Sequence, residues 1–276
     1  MLNRMTYAAL LLLCATACST ARVSKGAESS FAPGSHSGSR VTPVASASAT
    51  TTSVPAEPES SGVRTVVFGH SVHGVPLTEY ARGPVDAGRR ILVVGCIHGN
   101  ECAGVPIALD ALKFEPPAGT EVVVVPQLNP DGYAANTRQN AHGVDLNRNF
   151  PLLWKRLGHR GDQQFSGTGP LSEPESAAMA DLIRQLKPSL TIWFHQPVGV
   201  VDLSGGSQSV ERRFAQVAGM QVMQLQRYPG SASGWQNSLW PGQTTAFVVE
   251  LGRPATSSQK SGCLRGILSL ERGTPP

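Results

Sequence analysis

From about residue 63 onward, short apolar runs alternate with stretches in which apolar positions recur every three or four residues. "RILVVG", "EVVVVPQLN", "SLTIWFH" and "TTAFVVELG" are nearly continuous apolar runs of strand length, the pattern of strands covered on both faces. Between them, "ECAGVPIALDALKF", "SEPESAAMADLIRQLK", "SVERRFAQVAG" and "SGCLRGILSL" carry helical spacing. Ser172 and Glu175 have the spacing of a capping box, Pro174 suits a first helical turn, and Pro188 ends that helix. "RTVVFGHSVHGVPLTEYARG" predicts two strands around a glycine-containing turn, with His70 and His73 as turn residues. Strands alternating with helices, without an internal repeat, predict an α/β domain with helices on both faces of a largely parallel sheet.

The first sixty residues follow neither pattern. Behind Arg4, residues 5–17 are mostly apolar and end in "ATAC", which predicts a signal peptide over 1–17. The run is shorter than the roughly 20 residues that span a bilayer. "CATACST" resembles a lipoprotein processing box, which would leave Cys18 as a lipid-modified first residue, whereas Ala15-Thr16-Ala17 also suits ordinary secretion. Either way the cut falls after Ala17. Residues 18–62 are rich in Ser, Thr, Ala and Pro, too poor in large apolar side chains to offset chain entropy, and are expected to form a disordered spacer in which His36 is solvated. A folded domain is expected over 63–276, on the outer side of the cell membrane.

Hydrophobic residues make up 40% of the chain, enough for a sizeable core. A net charge of +4, without a Lys/Arg run interleaved with aromatics, gives no reason to expect nucleic acid as a partner. Membrane contact is expected only through a lipid at Cys18. Export would expose Cys96, Cys102 and Cys263 to oxidation. Cys96 and Cys102 could bridge, leaving Cys263 free, or all three could pack as small buried thiols.

The polar residues with chemical potential cluster at predicted strand ends. His98 and Glu101, in "GCIHGNE", follow one strand; His195 closes "SLTIWFH"; Glu250 ends "TTAFVVE". Ligands in open α/β sheets bind outside the carboxyl ends of strands, and two histidines with one carboxylate form the donor set of catalytic zinc sites. A lone H-x-x-E is a weak signal, but four such groups at strand ends together favour a metal site. A carboxylate closing a buried strand, as Glu250 does, needs a positive partner, a metal or a role as a base. Arg138, Asn147 and Arg148 lie in the turn-rich stretch between, and arginine forks suit carboxylates and developing oxyanions.

"GCIHGNE", "NPDGY", "TRQNAHGVDLNRNFP", "SGTGPLSEPES", "WFHQP" and "FVVEL", in that order, resemble the zinc carboxypeptidase family, and in particular its short bacterial branch that includes murein peptide amidases. The resemblance implies a single α/β/α domain around a mixed sheet and one zinc ion (Zn2+) per chain held by His98, Glu101 and His195. It implies Glu250 as general base, Arg138 as the group polarising the scissile carbonyl, and Asn147 with Arg148 as the clamp on a substrate carboxylate. The implied substrate is a murein peptide, cut between D-glutamate and diaminopimelate. The sequence departs from digestive members at Asn100, where they carry arginine, and after Trp235, where their mobile tyrosine is missing; Tyr228 is the tyrosine at comparable spacing. Two other readings are a deacylase like the aspartoacylase and succinylglutamate desuccinylase group, and a catalytically silent wall-binding lipoprotein. Asp202 is read as a turn-capping residue ahead of "LSGG".

Overall fold

The four apolar runs form the centre of an eight-stranded sheet in the computed structural model, which describes residues 62–203 and 205–272. The predicted leader and spacer, with Cys18 and His36, lie outside the described residues apart from Gly62. The strands are β1 (Val63–His70), β2 (Pro76–Arg82), β3 (Arg89–Val94), β4 (Thr120–Val125), β5 (Leu190–His195), β6 (Val200–Asp202), β7 (Gln221–Met223) and β8 (Thr245–Glu250). Their order is β1-β2-β4-β3-β5-β8-β6-β7. The central four, β4, β3, β5 and β8, run parallel. The β1–β2 hairpin joins β4 antiparallel at one edge, and β6 pairs antiparallel with β8 near the other, so the sheet is mixed.

Six helices cover it: α1 (Gly104–Ala111), α2 (Pro130–Ala135), α3 (Pro174–Leu186), α4 (Gln208–Ala218), α5 (Ala232–Leu239) and α6 (Ser257–Glu271). Successive strand residues point to opposite faces, and this divides the core. Ile91, Val93 and Phe247 pack with Ile107, Phe214 and Ile267 of α1, α4 and α6. Leu92, Val94 and Trp193 pack with Met179 and Ile183 of α3 and Trp235 of α5. Helices of eight residues are marginal alone, so α1 and α5 depend on these contacts. Gly104 permits one of them: a Cβ there would collide with Phe194 of β5. Among the described residues, no helix is long and apolar enough to cross a membrane.

The predicted capping box at Ser172 and Glu175 does not form. Helix α3 begins at Pro174 with Glu173 as N-cap and no side-chain cap hydrogen bond. Glu175 instead accepts from Asn140 Nδ2 at 3.0 Å and from the Val72 N–H at 3.1 Å, while the Ser172 hydroxyl donates to Glu173 at 2.8 Å. Tertiary partners have taken both halves of the box. A complete capping box stands instead at α6, between Thr256 and Gln259.

The far end of α6 carries a pH dependence. Arg89 donates to the backbone carbonyls of Leu270 and Glu271, at 2.6 and 2.9 Å, and satisfies the helix terminus. The Glu271 side chain is buried with Oε1 lacking a hydrogen-bond partner, and burial pushes its carboxyl from 4.5 up to about 7, against the pull of Arg272 and Arg89. Between these values the folded chain holds a proton that the unfolded chain releases, so the contribution is present below pH 4.5 and lost as pH rises through 7. Glu271→Gln is expected to raise stability at pH 8 by about 1–3 kcal/mol and to leave it nearly unchanged at pH 4. Denaturant titrations of both chains at the two pH values check this; an equal shift at both would contradict it.

Candidate metal centre

The turn between β3 and α1 carries His98 and Glu101 to the carboxyl end of the sheet. The Glu101 N–H donates to the His98 carbonyl at 2.9 Å, and a disulfide between Cys96 and Cys102, Cα atoms 4.7 Å apart, closes the turn. The bridging alternative therefore holds. Cys263 is buried and free, its thiol pushed up to about 12 by burial, which leaves it unreactive. Gly99 lies directly against the backbone of Gly132 in α2, where any side chain would collide, so the turn rests on that helix.

His195 and Glu250 are the last residues of β5 and β8, and they pair across the parallel ladder. This puts the third donor and the carboxylate at the same level of the sheet. His98 Nδ1 and His195 Nδ1 lie 3.1 Å apart, and Glu101 Oε2 is 2.9 Å from the first and 3.2 Å from the second. A tetrahedral centre with bonds of about 2.0–2.1 Å has ligand–ligand edges of about 3.3 Å. The observed triangle is therefore close to the size of a metal site, and two nitrogens with one carboxylate oxygen fit a borderline divalent ion.

The electrostatics of Glu101 and His195 suit that fit, whereas at His98 burial opposes the charged form but Asp145 and Glu101 raise the pKa. Burial opposes ionisation of Glu101, yet hydrogen bonding to His195 and His98 holds its carboxyl well below the usual range. Burial, reinforced by the neighbouring His98, lowers His195 and keeps it neutral, the form that donates a lone pair. Asp145 fixes the other imidazole. It is fully buried, and its Oδ1 lies 3.1 Å from His98 Nε2. An N–H on Nε2 donating to this carboxylate leaves Nδ1 with its lone pair toward the triangle. Burial opposes ionisation of Asp145, yet its contacts with His98 and Arg138 hold the carboxyl well below the ordinary range.

Asp145 is the functional residue that sequence reasoning missed. It caps the short 3₁₀ turn Leu146–Arg148 by accepting from the Asn147 N–H at 2.9 Å, and it accepts from Arg138 Nε at 3.0 Å. Arg138 Nη1 donates to Glu101 Oε1 at 2.8 Å. One guanidinium thus spans two carboxylates and leaves further donors at the cleft. Asn147 and Arg148 follow on the same turn. Asn147 Oδ1 accepts from the Ala232 N–H at 2.9 Å, which leaves its amide nitrogen as the donating end. Arg148 is buried, its pKa lowered by that burial, with Nε unpartnered and its guanidinium 4.1 Å from the centre of the Tyr228 ring.

All seven residues predicted for the site line one cavity of about 740 Å³. Tyr228 lines it as well, beneath Arg148. Asp202 ends β6, its Oδ1 accepts from the Leu225 N–H at 2.9 Å, and it lines the same cavity.

Residues 117–228 match the zinc carboxypeptidase family. Over these residues the chain is similar to zinc carboxypeptidases. The match contains Arg138, Asn147, Arg148 and His195, and the geometry above brings His98, Glu101 and Glu250 to the same site from outside it. Murein peptide amidase A of Escherichia coli (strain K12) is 33% identical over 146 residues, 49% of this chain and 60% of that protein. Gamma-D-glutamyl-L-diamino acid endopeptidase 1 of Lysinibacillus sphaericus is 26% identical over 239 residues, 67% of this chain and 59% of that protein. The chain therefore spans about 60% of the length of these curated relatives. The crystal structure of a murein-tripeptide amidase from Escherichia coli O157 superposes on the domain with a TM-score of 0.60 and 27% identity, covering 77% of this chain and 93% of that one. The single α/β domain with a mixed sheet thus matches carboxypeptidase-like structures.

Proposed function

We propose that the domain is a zinc-dependent hydrolase that cuts a peptide amide bond next to a free carboxylate, and that its substrate is a murein peptide cut between D-glutamate and diaminopimelate. The observation that carries this reading is the meeting of the His98–Glu101–His195 triangle, Glu250 and the buried Arg148 in one cavity. Similarity to murein peptide amidase A and to a γ-D-glutamyl-diamino acid endopeptidase supports the substrate class.

Zinc held by His98 Nδ1, Glu101 and His195 Nδ1 would supply a Lewis acid that acidifies water and polarises an amide carbonyl. The remaining work falls to side chains of this chain. Asn147 and Arg148 bind and orient the substrate carboxylate through a charged fork and an amide donor. Arg138, held by Glu101 and Asp145, turns its other donors toward the carbonyl oxygen as negative charge develops there. Glu250 takes a proton from the attacking water and delivers it to the leaving nitrogen. Its Oε2 accepts a long contact of 3.5 Å from the Val198 N–H, which leaves the carboxylate available as a base.

Murein lies outside the cytoplasmic membrane, so the proposed substrate agrees with the predicted leader. A lipid at Cys18 with the Ser/Thr-rich spacer would tether the domain within reach of the wall.

Digestion of purified muropeptides by the zinc-loaded full chain tests the reading. A γ-D-glutamyl-diaminopimelate tripeptide should yield free diaminopimelate and the alanyl-glutamate dipeptide, identified by mass. Hydrolysis of acyl amino acids with intact muropeptides would assign the site to the deacylase reading instead.

A further inference from the structure

The cavity extends beyond the carboxylate clamp to a second pair of charges. From Arg148 the wall continues through Tyr228, which lies against the guanidinium, to its chain neighbour Arg227, which is exposed and lines the cavity. Another part of the wall is built by the sheet. Val248 stands two residues before Glu250 on β8 and so shares its face, and β6 beside it ends at Asp202. The Leu225 N–H donates to Asp202 and ties the Arg227 segment to the acid. Gly205, Leu225 and Val248 add small or apolar lining to the same cavity.

A second carboxyl lies behind that wall. Glu211 of α4 is fully buried, with the Gly206 backbone hydrogen-bonded to its carboxyl. Its Oε1 presses against Gly205, at a point where any Cβ would collide. Glycine is therefore required there, and it leaves no side chain between this acid and the cavity. Burial and then the charge of Asp202 push the Glu211 carboxyl up to about 7, and Arg227 acts in the opposite sense, so the three groups share one local field. An acid and an exposed arginine that line one cavity together with small and apolar residues have the chemistry of a receptor for a group that carries both charges.

We infer that Asp202 and Arg227 form a specificity subsite that binds the zwitterionic end of the leaving residue's side chain, Asp202 taking its ammonium and Arg227 its carboxylate. This rests on the proposed function, because Asn147 and Arg148 must hold the carboxylate at the other end of the same residue. A diamino dicarboxylic acid satisfies all four groups. Lysine lacks the distal carboxylate, 2-aminopimelate lacks the distal amine, and norleucine lacks both.

The test is calorimetric binding of meso-diaminopimelate, L-lysine, L-2-aminopimelate and L-norleucine to the zinc-loaded full chain, beside muropeptide hydrolysis by the same sample. Each charge-assisted contact is expected to give about tenfold or more in affinity, so diaminopimelate should bind most tightly and norleucine least. Asp202→Asn, which keeps the acceptor for Leu225, should abolish the advantage of diaminopimelate over 2-aminopimelate. Arg227→Gln, at an exposed position that folding does not depend on, should abolish its advantage over lysine and carries the test if the Asp202 variant does not fold. Equal affinities for the four amino acids, or variants that weaken all four alike, would overturn the subsite. Muropeptide hydrolysis with a flat series would reject the subsite and keep the proposed function; a graded series without hydrolysis would do the reverse.

Discussion

Glu250→Gln is expected to bind zinc as tightly as the native chain and to lose turnover by on the order of 10²–10⁴-fold, the contribution of a positioned general base. Glu250 is outside the donor triangle, so the substitution removes no metal ligand. Its position is held by the β5–β8 ladder opposite His195, and glutamine keeps an oxygen to accept from the Val198 N–H. What disappears is the ability to receive a proton from water and pass it to the leaving nitrogen. Metal content after dialysis and the rate of diaminopimelate release from muropeptides measure the two effects separately. Unchanged hydrolysis with full metal content would remove Glu250 from the mechanism.

Asp145→Asn should act on the metal rather than on the proton. The carboxylate holds His98 Nε2, Arg138 Nε and the Asn147 N–H at 3.1, 3.0 and 2.9 Å, with no exposure to solvent. An amide offers one acceptor oxygen and no charge, so at least one of these contacts meets an N–H instead. Loss of such a partner behind a metal-binding histidine costs about 10–100-fold in metal affinity. Arg138 would also lose half of its fixation, so the rate at saturating zinc should fall too. Removing one member of a buried ion pair costs about 3–5 kcal/mol, and a thermal unfolding curve shows whether the variant remains folded at the assay temperature. Competition with a chromogenic chelator gives the zinc affinity. An affinity equal to that of the native chain would mean that His98 does not depend on Asp145 for its orientation.

The central strands were legible because a strand covered on both faces must be apolar throughout, and "RILVV", "EVVVV", "LTIWF" and "TAFVV" are. The short strands β6 and β7, three residues each, carry too little pattern to register. Helix α5, "ASGWQNSL", contains Gly, Ser and Asn, which disfavour helix. It forms because Trp235 packs on Phe150, with ring centroids 5.3 Å apart, and Gln236 donates to Thr191 at 2.6 Å inside the core. Its stability is tertiary, which no local window reveals. The candidate donor triangle could be read because its residues sit where strands end. Asp145 could not, because an acid within "NAHGVDLNRN" has the composition of a solvated turn, and only the fold shows that three donors converge on it. The spacing of Asp145 to Asn147 and Arg148 was the available signal, since a capped turn displays its next two side chains in one direction. Parity of cysteines could not choose between a bridge and packed thiols; a Cα separation of 4.7 Å does.

His195 and Glu250 occupy one rung of the β5–β8 ladder, so their separation is set by main-chain geometry and is indifferent to the length of the connections on either side. The segments that shape the rest of the cavity, near Leu153 and near Arg227, belong to those connections. Such a scaffold can exchange its entire recognition rim, by insertion or deletion, and still present the same reacting atoms at the same spacing. Transplanting a foreign rim onto these eight strands is thus a practical route to new amide hydrolases.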